Sequence, residues 1–529
     1  MTGRRRWWAL LVIALGVSMI IVDSTIVNVA LPSIIADLEL TSTQAQWVNE
    51  VYALVFAALL LTMGRLGDRH GRRRMFVIGT TVFVLASLLA AVSGSGAALI
   101  GARVLQGVGG AMILPTTLSL LNANFRGRER ALAFAVWGAT IGGTAALGPL
   151  LGGWLTTSFT WRWAFGINLP IGLLVLIGTF LLIPESRESS ARRGIDVVGA
   201  VLSIVGFGLL VFALIEGRVY GWWMSETTFA IGSWQWPWSV SPIPVALGIA
   251  LVTLVGFVQV ERARVRDDRV VLLDLRLFSI PTFRDGNVVA LVVSLGEFGL
   301  LFALPLWLQN ALGYSAFETG LALLPLALGS FLASGVAAPL TARFGAAVVV
   351  RVGVTSEIVG IALVGLVVST TTPWYAPVPG LLLYGLGVGL ATAQLTGLIL
   401  VDVPVEESGQ GSGTQSTTRQ VGSALGVAIL GTILFSTLSG QLDSGLTDLL
   451  PADQIGVVSE AVTRSAGDAI DGLATGPGGE PVADAARAAL ADATRWTAFS
   501  AAAILALGLL STRRLPSGVG VRSNDEPSG

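Results

Sequence analysis

Apolar residues in this chain do not alternate with polar ones; they run together. A helix needs about 20 mostly apolar residues to cross a bilayer. Stretches of that kind lie near 8–30, 47–66, 75–93, 97–120, 131–155, 163–184, 196–216, 242–261, 286–309, 319–340, 348–369, 376–400, 417–438 and 494–511. The pattern predicts an all-α polytopic membrane protein with fourteen spans. The first stretch reads as a span and not as a cleavable leader, because it is long, carries Asp23 and Asn28, and precedes further spans. Two connections stand out. Residues 262–285 contain VVLLDLRLF (270–278), whose charged and large apolar residues predict a segment lying along the inner membrane surface. Residues 439–493, rich in alanine, glycine and aspartate, predict amphipathic helices outside the membrane and hold no pattern of catalytic residues.

Composition sharpens this picture. Of 529 residues, 53% are hydrophobic and 12% charged, about half the charged share of a soluble protein. That excludes a soluble enzyme on a single anchor. Without cysteine there are no disulfides or thiolate sites, and one histidine argues against a histidine-built metal centre. All 32 basic residues are arginine, and 26 fall on the cytoplasmic side if the amino terminus is inside, Arg419 among them. This follows the positive-inside rule. Both termini are therefore expected in the cytoplasm. Trp7, Trp47, Trp161, Trp374 and Trp496 mark helix ends. Five more tryptophans in the outer loop 217–241 either lie against the bilayer or cover the outer mouth.

Charges within spans are the sharpest residue-level signal. An Asp or Arg at the centre of a spanning helix costs about 2.5–3.5 kcal/mol on insertion scales, so such groups normally face protein or water. Glu297, near the middle of span nine, is the preferred proton-coupling carboxylate. Glu50 opens span two on the outer side, Asp23 lies two-thirds along span one, and Arg103 lies early in span four. Arg103 stays protonated, so it tunes a carboxylate or organises water and does not itself carry a proton. Glu357, in span eleven, is a third titratable candidate; it reads first as a structural partner or a lipid-interface residue and second as a coupling group. Phe56, Met63, Met112, Phe134, Trp137, Phe298, Phe302 and Trp307 are candidates to line an apolar cavity.

Short strings then add a resemblance. In GRLGDRHGRRR (64–74), three glycines permit a tight turn and close helix approach, and Asp68 can cap a helix or pair with arginine. The string resembles the signature loop of the major facilitator superfamily, which implies an inner gate at Gly64, Asp68, Arg69, Gly71 and Arg72. DSTIVNVALP (23–32), RVLQGVGGA (103–111), WRWAFGINLPIG (161–172) and NALGYSAFETGLALLP (310–325) resemble strings of its 14-spanning drug:proton antiporter branch. GATIGGTAALGPLLGGWL (138–155) resembles the fifth-helix antiporter motif, with Gly148, Pro149, Gly152 and Gly153. Small residues there permit close helix crossing, and proline removes a backbone donor and can bend the helix.

The resemblance implies the major facilitator fold: a six-helix bundle over 1–190, two additional helices over 191–261, and a cytoplasmic linker over 262–285. A second six-helix bundle over 286–512 and a cytoplasmic tail over 513–529 complete it. APLTARFGAA (338–347) echoes the gate string, but Ala342 replaces the aspartate, so the charged latch is expected in the first half. The implied function is a proton-coupled exporter of hydrophobic, cationic drugs or toxic compounds in a bacterial plasma membrane. Glu297, Asp23, Glu50 and Arg103 would serve coupling or transport. Its partners are a small-molecule substrate, protons and the bilayer, and it works as a monomer. No cofactor is expected, since no G-x-x-x-x-G-K-[ST] string and no lysine exist to hold a nucleotide phosphate. No nucleophile cluster points to an enzyme. The alternative is a dedicated exporter of one endogenous metabolite or antibiotic; an uptake carrier fits less well.

Overall fold

The computed structural model describes residues 3–186, 194, 196–231, 234–476 and 479–515. The chain is helical almost throughout. Its helices are α1 (Gly3–Leu38), α2 (Ser42–His70), α3 (Arg72–Ala91), α4 (Gly96–Asn124), α5 (Gly127–Ser158), α6 (Arg162–Gly166) and α7 (Asn168–Leu182). There follow α8 (Val197–Tyr220), α9 (Pro242–Arg266), α10 (Pro281–Asn310), α11 (Ala316–Phe344), α12 (Ala346–Val367) and α13 (Val378–Ile399). The last are α14 (Ser408–Gly445), α15 (Ala452–Arg464), α16 (Ile470–Leu473) and α17 (Gly479–Ser511). Among the described residues, 13 helical segments are long and apolar enough to cross a membrane, α6 and α7 counting as one. The 32-residue α5 supplies the fourteenth.

Local chemistry sets the breaks. Thr41 and Ser315 form capping boxes with Gln44 and Glu318 at the starts of α2 and α11. Ser95, Asp196 and Ser241 cap α4, α8 and α9. The echo between the two gate strings is visible in the backbone. Gly71 between α2 and α3 and Gly345 between α11 and α12 both take positive φ, 107° and 84°, a region side chains avoid.

Helices α1–α7 pack mainly through α1 on α5 and α7, α2 on α4, and α3 on α4. Helices α10–α14 and α17 form a similar set, with α12 on α13, α10 on α14 and α17, and α11 on α13. The sets meet where α5 lies on α11 and α13, and where α14 lies on α2 and α4. Helices α8 and α9 pair with each other, and α8 also touches α2 and α14. The outer loop 217–241 contains a two-stranded hairpin, β1 (Ala230–Ile231) and β2 (Trp234–Gln235). Within the outer connection 439–493, α15 packs on α14 and α16 on α17. The expected division at 190/191, and the tail beyond residue 515, lie outside the described residues.

Two expectations need correction. Residues 270–278 do not lie on a lipid surface: Leu272, Leu273 and Leu277 are buried in the protein. The Asp274 N–H donates to Gln410 Oε1 at 2.7 Å, so the linker is tied to the start of α14. There the Arg276 side chain grips the Asp274 carboxylate at 2.5 Å. Arg419 is not in a cytoplasmic loop. Helix α14 begins at Ser408, and the polar run Ser408, Gly409, Gln410, Gly411, Ser412 and Gly413 is buried helix. Protein, not lipid, surrounds that run, so its polarity does not signal exposure to water.

Candidate functional site

The predicted transport residues fall into three separate places. Asp23 and Arg103 come together. Arg103, fully buried on α4, donates from Nη1 to Asp23 Oδ2 at 2.6 Å and from Nε to the Val48 carbonyl at 3.1 Å. Asp23 Oδ1 accepts from Gln106 at 2.9 Å and from Asn168 at 2.7 Å. Ser87 Oγ accepts from the same two amides. The Arg103 guanidinium also lies 4.4 Å from the Tyr52 ring centre, a cation–π contact. Five helices are thus joined around one ion pair whose carboxylate accepts three hydrogen bonds.

Glu297 on α10 is held less completely. Its Oε1 accepts from Thr392 of α13 at 3.2 Å, and its Oε2 meets Arg419 of α14 at 3.4 Å. Tyr384 donates to the Glu297 carbonyl at 3.0 Å. Glu357, on α12, joins this centre. It is fully buried, which corrects the lipid-interface option, and neither of its carboxylate oxygens has a hydrogen-bond partner. A buried charge without a partner is costly, so this centre is poorly matched where the Asp23 centre is well matched.

Glu50 sits apart from both. It lies close to Glu216 on α8, whose Oε2 accepts from Gln46 at 2.6 Å, while Glu50 Oε2 has no hydrogen-bond partner. Glu216, Glu357 and Arg419 were all missed as site residues. Glu216 looked like the end of a span. Arg419 had a usable signal, because Gly409-x-x-x-Gly413 is a spacing for close helix packing.

The string 64–74 ties the end of α2 to the start of α14. Asp68 Oδ1 accepts from the Gly409 N–H at 2.8 Å and Oδ2 from the Gln410 N–H at 3.0 Å. Two peptide donors at the start of α14 thus bind a carboxylate, which the helix dipole favours. Arg72 donates to Asp68 Oδ1 at 2.7 Å and, through the same nitrogen, to the Val405 carbonyl. Arg69 is half-buried; Arg72, not Arg69, grips Asp68. A Cβ on Gly64 would collide with the Gly409 carbonyl, so backbone meets backbone there. Gly71 leaves room for Glu185, whose carboxylate accepts from the Arg73 and Arg74 N–H groups at 3.1 and 3.0 Å. Nearby, Asn122 donates to Ser408 at 2.7 Å and Arg130 to the Gly397 carbonyl at 3.2 Å.

The fifth-helix glycines lie on two faces of α5. Gly148 and Gly152 press on Thr25 and Ile26 of α1, and Gly153 presses on Phe317 of α11. Helix α5 is continuous through position 149; the side chain of Pro149 lies outside the described residues. Of the aromatic candidates, Phe134 and Trp137 are packed core. Phe302 lines a small pocket of about 30 Å³ with Phe435, Trp222 and Arg218. Trp307 lines another of about 10 Å³.

Against this geometry, the family model described as Major Facilitator Superfamily matches residues 13–196 and 195–427. The chain belongs to the major facilitator superfamily. It is a multi-pass membrane transporter of that family's drug-efflux branch. It is 36% identical over 455 residues to a Streptomyces coelicolor protein named "Probable actinorhodin transporter", covering 84% of this chain and 75% of that one. It is 36% identical over 434 residues to the puromycin resistance protein of Streptomyces alboniger, covering 81% and 82%. It is 33% identical over 473 residues to the multidrug efflux pump LfrA of Mycolicibacterium smegmatis, covering 89% and 88%. Among solved structures, the human organic anion transporter MFSD10 aligns over 97% of this chain and 100% of its own, with TM-score 0.61 at 13% identity. That likeness concerns the fold alone.

Proposed function

We propose that this transporter exchanges inward-moving protons for outward-moving hydrophobic, cationic compounds across the plasma membrane of a bacterium, acting as a monomer. The observation that carries this reading is Glu297: a buried carboxylate at mid-helix, held by one 3.4 Å contact to Arg419 and one hydroxyl. Ionised, it attracts a cation; protonated, it does not. Proton and substrate then oppose each other, and linkage makes that opposition reciprocal. Movement of one proton through 100 mV supplies about 2.3 kcal/mol, enough for roughly a fiftyfold gradient of a neutral compound. A monovalent cation exchanged one for one moves no net charge and is driven by the pH gradient alone.

In this reading 1–190 and 286–512 are two bundles that rock against each other. The Asp68 latch holds the inner side closed, and the glycine faces of α5 form the bearing. Asp23, Arg103 and Glu50 serve the cycle from outside the coupling site. Relatives named for puromycin resistance and multidrug efflux support export of large organic compounds. The test uses inside-out vesicles with ethidium as the probe. Ethidium should enter only while a proton gradient or a membrane potential is present. Uptake that survives collapse of both ends the proton-coupled mechanism.

A second reading has its own support. Several relatives carry the name of a single compound, including the tetracenomycin C resistance and export protein of Streptomyces glaucescens. Under that reading the chain exports one endogenous antibiotic or metabolite. A chemically varied substrate panel in the same vesicles separates the two.

A further inference from the structure

The centre around Glu297 contains two buried carboxylates and one arginine. Glu357 projects from α12 onto α13, where its Cγ lies so close to Gly387 that a Cβ there would collide with it. It is fully buried and both its oxygens lack a hydrogen-bond partner. The charged groups whose fields act on it are Glu297 on α10 and Arg419 on α14, and Tyr384, one turn before Gly387 on α13, links that helix to Glu297. Arg419 is committed to Glu297. Tyr384 is also occupied, since its hydroxyl donates to the Glu297 carbonyl. Toward the outer end, α17 meets α12 through Ala498 and Phe499 at Gly365. At the other end Arg351 donates to the Thr512 carbonyl. No donor therefore stabilises an ionised Glu357 in this arrangement, and an unpaired buried carboxylate takes up a proton in preference to remaining charged.

We propose that Glu357 is a second proton-binding residue of the transport cycle, neutral while Arg419 is paired with Glu297 and ionised when Arg419 is released to it. One arginine matches one carboxylate at a time. When a proton adds to the Glu297 carboxylate, the Glu297–Arg419 pair loses its attraction. Arg419 then pairs with Glu357, whose O–H bond breaks and whose proton leaves to water. The site ends with the same net charge as it began, while protons have entered and left at different residues. This rests on the reading of Glu297 as the coupling residue.

The test uses the full chain in detergent and in proteoliposomes, with ethidium as the probe. Infrared difference spectra between acid and alkaline pH report the carbonyl band of a protonated carboxylic acid. Measured in a Glu216→Gln background, which removes the other buried carboxyl pair, the band should be present near neutral pH in the parent and lost on adding Glu357→Gln. It should also be lost on adding Glu297→Gln, where Arg419 is free to ionise Glu357. Proton-driven ethidium export by Glu357→Gln should fall roughly tenfold, within the usual span of couplings between sites. A band that persists in Glu357→Gln overturns the proposal, as does unchanged export by that variant. A band that is lost in Glu357→Gln but unchanged in Glu297→Gln overturns the sharing of Arg419. Because a neutral residue tolerates neutral replacement, failure of both Glu357→Gln and Glu357→Met to fold also overturns it. The Glu297 reading fails separately, if Glu297→Gln retains proton-driven export.

Discussion

The ion pairs Asp23–Arg103 and Glu297–Arg419, one in each half of the molecule, are built to different standards. Around Asp23, one arginine and two amides satisfy the carboxylate, and the arginine is in turn held by a carbonyl and a ring. Around Glu297, the arginine contact is long, and a second glutamate beside it has no donor at all. A fully satisfied network resists any change of charge, because altering one member strands the others. An under-satisfied one already stands near such a change. On the function proposed above, the difference separates a clamp from a switch, the switch lying among α10, α12 and α14.

The largest expected effect is at the switch. Glu297→Gln should reduce proton-driven export by about 100-fold or more, the scale on which proton-transfer groups matter, while the purified protein keeps its thermal stability. Vesicle transport and a melting curve on the same preparation read both. A variant that transports poorly because it melts early would make Glu297 another clamp.

The clamp should respond in the opposite way. Arg103→Met leaves Asp23 buried without its cation and should cost about 3–5 kcal/mol of stability. Adding Asp23→Leu should recover much of that loss, because the pair is then removed whole. If the single variant folds normally yet cannot couple, the two centres are alike and the contrast collapses.

The inner latch gives a third, smaller effect. Gly64→Ala wedges a methyl group against the Gly409 carbonyl and should disfavour the inner-closed state by about 1–3 kcal/mol. Asp68→Asn turns one acceptor into a donor facing a peptide N–H and should act in the same direction. A single cysteine introduced on the cytoplasmic end of α14 reports this as faster maleimide labelling, free of background because the chain has no cysteine. Labelling at the parental rate in both variants would remove the latch from the gate.

The smallest effect tests charge outside the membrane. Burial pushes the Asp274 carboxyl up, but hydrogen bonds from the Arg276 side chain and backbone outweigh it and hold the group below its ordinary range. Its contribution is therefore present above the ordinary carboxylate range and is lost as pH falls through the lowered value. The partner arginine is exposed, so the contribution is about 1 kcal/mol or less. Asp274→Asn should lower the melting temperature slightly at about pH 7, and the difference from the parent should shrink as pH falls below the ordinary carboxylate range. A difference that stays constant with pH would assign the loss to packing.

The fourteen spans were legible because lipid imposes one requirement on every lipid-facing residue, and a window of about 20 residues detects it. The gate string was legible because Gly71 serves a local turn and the whole string resembles a known signature, although Gly64 and Asp68 meet α14, far along the chain. Residues 408–419 were not, because hydropathy reports the polarity of a helix and not what surrounds it. Enclosed by α2 and α4, a run of serine, glycine and glutamine forms helix as readily as leucine does. The error moved Arg419 out of the membrane and hid the partner of Glu297. Glu357 was misjudged for a related reason: its role follows from which α13 residue lacks a side chain, Gly387, and that pairing is a matter of three dimensions.

The Asp68 latch has a consequence for how this protein varies over time. Its two strongest partners on α14 are peptide N–H groups, at Gly409 and Gln410. Every residue except proline offers the same group. The Asp68 contact therefore persists whatever side chain stands at position 410, and Asp68 would show no correlated partner on α14 across homologues. Gly409 would be retained for its missing side chain and not for what it donates. A survey of covarying positions would overlook the bolt that closes the inner door, since half of it is written in the backbone.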